Sequence, residues 1–179
     1  MSEPDVLLLR QKIHGLSVDE YADAMRERLP DADIAVGRTP EEERELIESA
    51  RVVAGFNVDP EMLDRAENLE LFACSYAGTG HLPMEALEEA GVAVTNASGV
   101  HGPNISEYVI GALISLARDF PRAARQQEER VWQSFGSQEL YNSTITVVGM
   151  GAIGQAVVER LEAVGVDTVG VRYTPEKGG

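Results

Sequence analysis

The chain has 179 residues, enough for one full domain or for one domain and part of another. Hydrophobic residues make up 44% and charged residues 25%, a globular balance that excludes a disordered tail. Thirty acidic against 15 basic residues leave a net charge of −15. That excludes a nucleic-acid binder working by phosphate neutralisation, and disfavours a peripheral binder of anionic membranes. No apolar run approaches the ~20 residues of a membrane span. The start, Met1-Ser2-Glu3-Pro4-Asp5, is acidic and unlike a signal or transit peptide. The single cysteine, Cys74, excludes an intrachain disulfide framework and a zinc–cysteine site, so the expected compartment is the cytoplasm. Only Lys12 and Lys177 among the 15 basic residues are lysine. A lysine-poor, acidic surface fits a halophilic protein kept soluble where salt screens self-repulsion. A mesophilic acidic enzyme from a GC-rich genome is the alternative.

The first hundred residues alternate strand and helix. Val6-Leu7-Leu8-Leu9 reads as a buried strand. Ser17-Val18-Asp19-Glu20 is a capping box, opening a helix that carries Val18, Tyr21, Ala22, Met25 and Leu29 on one face and stops at Pro30. Residues 33–37 form the next strand. Thr39-Pro40-Glu41-Glu42 repeats the helix-start chemistry, and the run Glu41-Glu42-Glu43 reads as a solvated face. Strands are expected at 51–55, 69–74 and 92–95. Between them lie a short helix from Asp59-Pro60 through Ala66 and a helix at 83–90 closed by Gly91. Five strands separated by helices imply a parallel sheet with covered faces and right-handed crossovers, resembling a flavodoxin-like layer.

Near residue 100 the rhythm breaks. Asn104-Ile105-Ser106-Glu107 reads as a third capping box, before a helix that buries Val109, Ile110, Leu113, Ile114 and Ala117. That helix is apolar on nearly every side and is expected between two layers. Pro121 starts a polar helix. The domain boundary falls here, giving an α/β domain over 1–99 and a second segment over 100–179. Thr144-Ile145-Thr146-Val147-Val148 is a β-branched strand, expected to be buried. It runs into Gly149-Met150-Gly151-Ala152-Ile153-Gly154. A helix with Ile153, Val157, Val158 and Leu161 on one face follows and ends at Gly165. Residues 167–172 are the next strand.

A lone G-x-G-x-x-G is a weak signal, but here it follows a strand, precedes a helix and sits in a βαβ unit of about 30 residues. Gly149 allows the tight turn, Gly151 lets backbone approach a pyrophosphate, and Gly154 lets helix pack on strand. The amides around Ala152 and Ile153 then face the phosphates. The reading is the first βαβ unit of an incomplete Rossmann dinucleotide-binding domain. An acid ending the second strand would read the ribose of NAD, and an arginine there accommodates the extra phosphate of NADP. The strand ends in Val171-Arg172-Tyr173-Thr174, with Asp167 at its other end. That favours NADP over NAD, with Arg172 on the phosphate and Tyr173 or Thr174 assisting. An Arg172 that stacks on adenine or lies in solvent leaves the choice open.

Three further stretches carry a family resemblance: 76–83 (Tyr-Ala-Gly-Thr-Gly-His-Leu-Pro); 94–101 (Val-Thr-Asn-Ala-Ser-Gly-Val-His) leading to Ile105-Ser106-Glu107-Tyr108; and Trp132 with Glu139-Leu140. In this order the chain resembles the N-terminal part of a D-isomer-specific 2-hydroxyacid dehydrogenase. The resemblance implies hydride transfer between a nicotinamide and C2 of a small 2-keto or 2-hydroxy acid, by a homodimer built through the crossing helices. It assigns the substrate carboxylate to the backbone of Gly78 and Thr79, where successive amides form an anion nest. Many members have Asp where this chain has Gly80. Asn104 faces the nicotinamide side by resemblance, or is a plain N-cap.

The family's catalytic Arg, Glu and His lie in the second half of the cofactor domain. The chain stops 30 residues past Gly149, before a second βαβαβ half. The expectation is therefore a truncated chain with no catalytic residue, inactive alone. His14, His81 and His101 are expected in loop or surface roles, Cys74 as a small buried hydrophobe and Trp132 as packing. No metal site is expected. Two alternatives stand beside this reading. One is a non-catalytic cofactor-binding or subunit-interaction protein on a dehydrogenase scaffold. The other is a related enzyme that uses the dinucleotide for other chemistry.

Overall fold

The computed structural model describes residues 4–11, 13 and 15–173. Two compact units are present, Met1–Ser98 and Gly99–Gly179.

The first unit runs β1 (Val6–Leu8), α1 (Val18–Arg28), β2 (Ile34–Val36), α2 (Pro40–Leu46), β3 (Val52–Gly55), α3 (Pro60–Leu63), β4 (Leu71–Cys74), α4 (Met84–Glu89) and β5 (Ala93–Asn96). Its sheet is parallel throughout, in the order β2-β1-β3-β4-β5. The order reverses direction beside β1, the flavodoxin-like winding, so helices cover both faces. One face buries Leu7, Val53, Phe72, Ile47, Val58 and Leu87; the other buries Val6, Leu8, Ile34 and Ala54 under Ala22 of α1. β5 is the open edge and is largely exposed.

Local chemistry sets the helix starts. The Ser17 hydroxyl accepts from the Glu20 amide at 3.3 Å, and the Glu20 carboxylate accepts from the Ser17 amide at 2.7 Å. Thr39 and Asp59 accept from the amides of Glu42 and Met62, each with a proline in the first turn behind it. α3 is shorter than expected and ends at Leu63, because the chain turns there toward β4.

The acidic run 41–43 is not a fully solvated face. Glu43 is buried and accepts from the Arg10 amide at 2.7 Å and the Arg10 guanidinium at 2.8 Å. It fits because residue 37 is glycine: a Cβ there would lie 2.5 Å from Glu43 Cγ. The paired cation offsets the cost of burying the carboxylate.

The second unit runs α5 (Gly102–Ala117), α6 (Phe120–Glu128), β6 (Thr144–Val148), α7 (Ala152–Ala163) and β7 (Asp167–Val171), with β6 and β7 parallel. Its core is Val157, Leu161 and Val166, packed by Val109, Ile110 and Leu113 of α5 and Ile145 and Val147 of β6. Three expectations are corrected here. Asn104 is not an N-cap: α5 begins at Gly102, with His101 as cap and Pro103 in the first turn. Proline lacks the N–H and has its φ already set, so it suits a helix start and places Asn104 inside the helix. Ser106, instead of belonging to a capping box, is fully buried and donates to the Gly102 carbonyl at 2.6 Å. α5 is not covered on both sides, since one face packs on α7 while Tyr108 and Leu116 are exposed. β6 alternates instead of being buried throughout, with Ile145 and Val147 inward and Val148 83% exposed. The two-stranded sheet has a helical layer on one face only, so every second side chain faces out.

Trp132 does not pack in this chain. It is fully exposed in the irregular segment after α6, where Arg122 instead lies over the Phe135 ring at 4.6 Å. No described helix is long and apolar enough to cross a membrane.

Candidate functional site

The glycine turn of the second unit has the geometry a dinucleotide needs. Gly149 closes the ladder, its amide donating to the Val171 carbonyl at 2.7 Å, and adopts φ +101°, which an L-residue rarely takes. A Cβ on Gly154 would lie 2.0 Å from the Gly149 carbonyl oxygen, so only glycine lets α7 start this close to β6. A Cβ on Gly151 would meet nothing within 4 Å, so this residue leaves open space above the turn. Gly151 is the N-cap of α7 and has no side chain with which to cap it. The amides at Ala152 and Ile153 are therefore orphan donors at the positive end of the helix dipole.

Arg172 follows β7 and does not lie free in solvent. Its guanidinium donates to the Met150 carbonyl, the second residue of the glycine turn. Tyr173 is fully exposed beside it, and Thr174 lies outside the described residues. Asp167 occupies the opposite end of β7. Asn104 is exposed on the first turn of α5.

In the first unit the parallel pairing of β3 and β4, with Gly55 opposite Cys74, brings the two loops that follow them together at the carboxyl end of the sheet. Gly78 is exposed and Thr79 half-buried. Among the described residues, the amides of Gly78 and Thr79 donate to no backbone carbonyl, while the Thr79 carbonyl accepts from the Leu82 amide at 3.0 Å. Asn96 braces the loop by donating from its side chain to the Ala77 carbonyl at 2.8 Å. The buried Cys74 thiol lies 3.8 Å from the Phe56 carbonyl and 3.9 Å from that of Gly78. Two amides without a backbone acceptor on a braced turn are donors of the kind an anion nest uses.

Sequence reasoning missed the neighbours of that turn. Phe56 stacks on His81 at 4.2 Å with an 8° tilt and meets Tyr76 edge-on at 4.6 Å. The His81 Nε2–H donates to the Phe56 carbonyl at 2.7 Å. Nothing local marks Phe56, and only the β3–β4 pairing places it beside loop 76–80. His14 lies outside the described residues, and His101 is the cap residue of α5. No group of three His, Cys, Asp or Glu able to hold a metal occurs among the described residues.

A family model described as "D-isomer specific 2-hydroxyacid dehydrogenase, NAD binding domain" matches residues 110–178. A D-3-phosphoglycerate dehydrogenase of Methanocaldococcus jannaschii is 32% identical over 162 residues, covering 87% of this chain and 30% of that protein. A hydroxypyruvate reductase of Thermotoga maritima is 24% identical, over 96% of this chain and 51% of its own. Among solved structures, a D-isomer specific 2-hydroxyacid dehydrogenase family protein from Aeromonas salmonicida superposes with a TM-score of 0.72 at 30% identity, over 96% of this chain and 54% of that one. A D-lactate dehydrogenase of Treponema pallidum has a TM-score of 0.74 at 22% identity, over 95% and 54%, a likeness of fold. The chain thus spans between about a third and a half of the length of these proteins.

Proposed function

Because this chain belongs to the D-isomer-specific 2-hydroxyacid dehydrogenase family, we propose that it forms part of an oxidoreductase acting between a nicotinamide dinucleotide and C2 of a small 2-keto or 2-hydroxy acid. The observation that carries this is the glycine turn. Gly149 in the left-handed region, Gly154 with no room for a Cβ and Gly151 under open space together satisfy the steric demands of a bound pyrophosphate. In this reading the first unit is the substrate domain and the second the start of the cofactor domain.

The dinucleotide, when bound, supplies the hydride. The chain's own residues supply its seat: the amides at the start of α7, around Ala152, Ile153 and Gly154, bind the pyrophosphate, with Gly149 and Gly151 shaping the turn. We assign the substrate carboxylate to the amides of Gly78 and Thr79, and Asn104 to the nicotinamide side. Within these 179 residues we assign no group to the acid/base role. Binding without turnover is therefore expected of them alone.

NADP is the preferred cofactor in this reading. β7 ends in Arg172, and its bond to the Met150 carbonyl holds the guanidinium beside the glycine turn. Tyr173 and Thr174 flank it. Among the described residues, no carboxylate ends that strand. The partners we propose are the small acid and a second copy of the chain; the exposed apolar side chains Tyr108, Leu116 and Phe120 around α5 support the second. The net charge of −15 argues against nucleic acid and anionic membrane as partners, and the single cysteine is in keeping with the cytoplasm.

Calorimetric titration with NADPH and NADH tests the reading. NADPH should bind at least about tenfold more tightly, a difference of about 1.4 kcal/mol. Arg172→Ala should remove the preference and leave NADH binding intact. Equal affinities in the unaltered protein would refute the choice of NADP, and failure of both to bind a folded sample would refute the cofactor site.

A further inference from the structure

Proteins similar in sequence to this chain include phosphoglycerate dehydrogenases, whose name specifies a phosphorylated acid. The carboxyl end of the sheet, which holds loop 76–80, is built for something else. A phosphate ester carries about −1.5 to −2 charges near neutral pH and is recognised by arginine or lysine that can turn toward it. In the first unit six of the seven described arginines are paired with a carboxylate. Arg10 holds Glu43, Arg38 holds Asp19, Arg51 holds Glu70, Arg65 holds Glu48, Arg26 holds Asp23 and Arg44 holds Glu41. Arg28, the seventh, ends α1 just before the start of β2, at the opposite end of the parallel sheet from the loops that follow β3 and β4. The loops after β3 and β4, residues 56–59 and 75–82, contain no lysine or arginine and end the first of them with Asp59. Residues 1–98 as a whole carry 21 acidic against 8 basic residues, a net −13.

What this end offers instead is an aromatic wall. Phe56, Tyr76 and His81 form one cluster, with centroids 4.6, 4.2 and 6.4 Å apart. Phe56 and Tyr76 are half-buried, so each ring keeps one part exposed. The His81 Nε2–H is spent on the Phe56 carbonyl, which leaves that nitrogen unable to serve a phosphate. Tyr76 and His81 flank Gly78 and Thr79 in the chain, and the Cys74 sulfur lies within reach of the Phe56 and Gly78 carbonyls, so the two backbones are close neighbours. An acid whose carboxylate sits on the Gly78 and Thr79 amides would present its other end to these rings.

We infer that the site in the first unit takes a non-phosphorylated 2-keto acid with an uncharged, apolar side chain, which packs against Phe56 and its ring partners. This rests on the reading of loop 76–80 as the carboxylate seat. Burial of an apolar side chain against aromatic carbon favours such an acid, and repulsion from the unpaired negative charge of the unit disfavours the trianion of a phosphorylated one.

The test is a calorimetric titration of 4-methyl-2-oxopentanoate and of 3-phosphooxypyruvate into the protein saturated with the dinucleotide it binds. It is run at ordinary salt and again at about 1 M NaCl, where the Debye length of about 3 Å removes long-range repulsion and leaves the local fit. The apolar acid should bind at least about tenfold more tightly at both salts, the discrimination a few methylenes give in an apolar pocket. Phe56→Ala should erase most of that margin, and Phe56→Arg should raise the affinity for the phosphorylated acid. His81→Ala, at an exposed position, serves if the Phe56 variants do not fold, and should also narrow the margin. Equal or tighter binding of 3-phosphooxypyruvate at 1 M salt overturns the inference and leaves the carboxylate seat standing. Binding of neither acid, with the dinucleotide bound, overturns the seat itself and the inference with it.

Discussion

Two glycines three residues apart at the start of α7, Gly151 and Gly154, show how one atom separates a structural from a functional role. Gly154 lies under the Gly149 carbonyl, where a Cβ would stand 2.0 Å from the oxygen. Gly154→Ala must push α7 off β6, so both thermal stability and dinucleotide affinity should fall, the former by about 1–3 kcal/mol as in other overpacked sites. Gly151 has nothing within 4 Å. Gly151→Ala should leave the melting temperature unchanged and weaken dinucleotide binding at least about tenfold. Differential scanning calorimetry and a binding titration on the two variants separate these effects. An unchanged affinity in Gly151→Ala would mean that no ligand approaches the turn there. Both glycines are legible in the sequence because their spacing is local. Phe56 is not, since its meaning comes from a strand 19 residues away that happens to be its neighbour in the sheet.

At the scale of the element, the start of α1 depends on a reciprocal pair. The Ser17 amide and hydroxyl both donate to Glu20, and these bonds hold the Glu20 carboxyl below its ordinary range. Asp19, held by Arg38, and Glu70, held by Arg51, are lowered for the same kind of reason. A carboxylate whose folded-state pKa is depressed contributes its full stabilisation above its unfolded value and loses it as pH falls through the folded one. Stability should therefore be flat at neutral pH and decline below the ordinary carboxylate range. Ser17→Ala should cost about 1 kcal/mol at neutral pH, and make the decline shallower. Urea unfolding at several pH values measures both. A decline of equal steepness in the variant would mean that the Ser17 hydroxyl adds nothing to what the Ser17 amide already does for Glu20. The capping boxes at Ser17 and, as a pattern, at Asn104 look alike in sequence. Only the first forms, because Pro103 can occupy the first turn and lets α5 start before Asn104.

Over the whole molecule, charge and apolar exposure are divided between the units. Residues 1–98 carry a net −13, and residues 99–179, with 9 acidic and 7 basic residues, only −2. The first unit therefore bears nearly all of the self-repulsion. The second exposes Tyr108, Leu116, Phe120 and Trp132. Raising NaCl from about 0.1 to 1 M shortens the Debye length from about 10 to 3 Å, so the unfolding temperature should rise with salt. Acidic variants in the first unit should change that slope most. Replacing Glu61 and Glu67, two exposed carboxylates there, with Gln should flatten it, while Glu128→Gln and Glu129→Gln in the second unit should not. Equal slopes would mean that salt acts through apolar burial instead of charge.

The sequence by itself determined what is local or periodic: the alternation of strand and helix, the helix starts at Ser17, Thr39 and Asp59, and the glycine turn at 149–154. Each depends on residues within a few positions of one another, so the chain order already holds the geometry. The tertiary structure alone decided what depends on the opposite layer or the neighbouring strand. It buried Glu43 under Arg10, left one face of β6 and of α5 open, exposed Trp132, and set Phe56, Tyr76 and His81 around the edge of loop 76–80. Burial and side-chain contact are properties of pairs distant in the chain, and a sequence pattern reports how apolar a face is without saying what covers it.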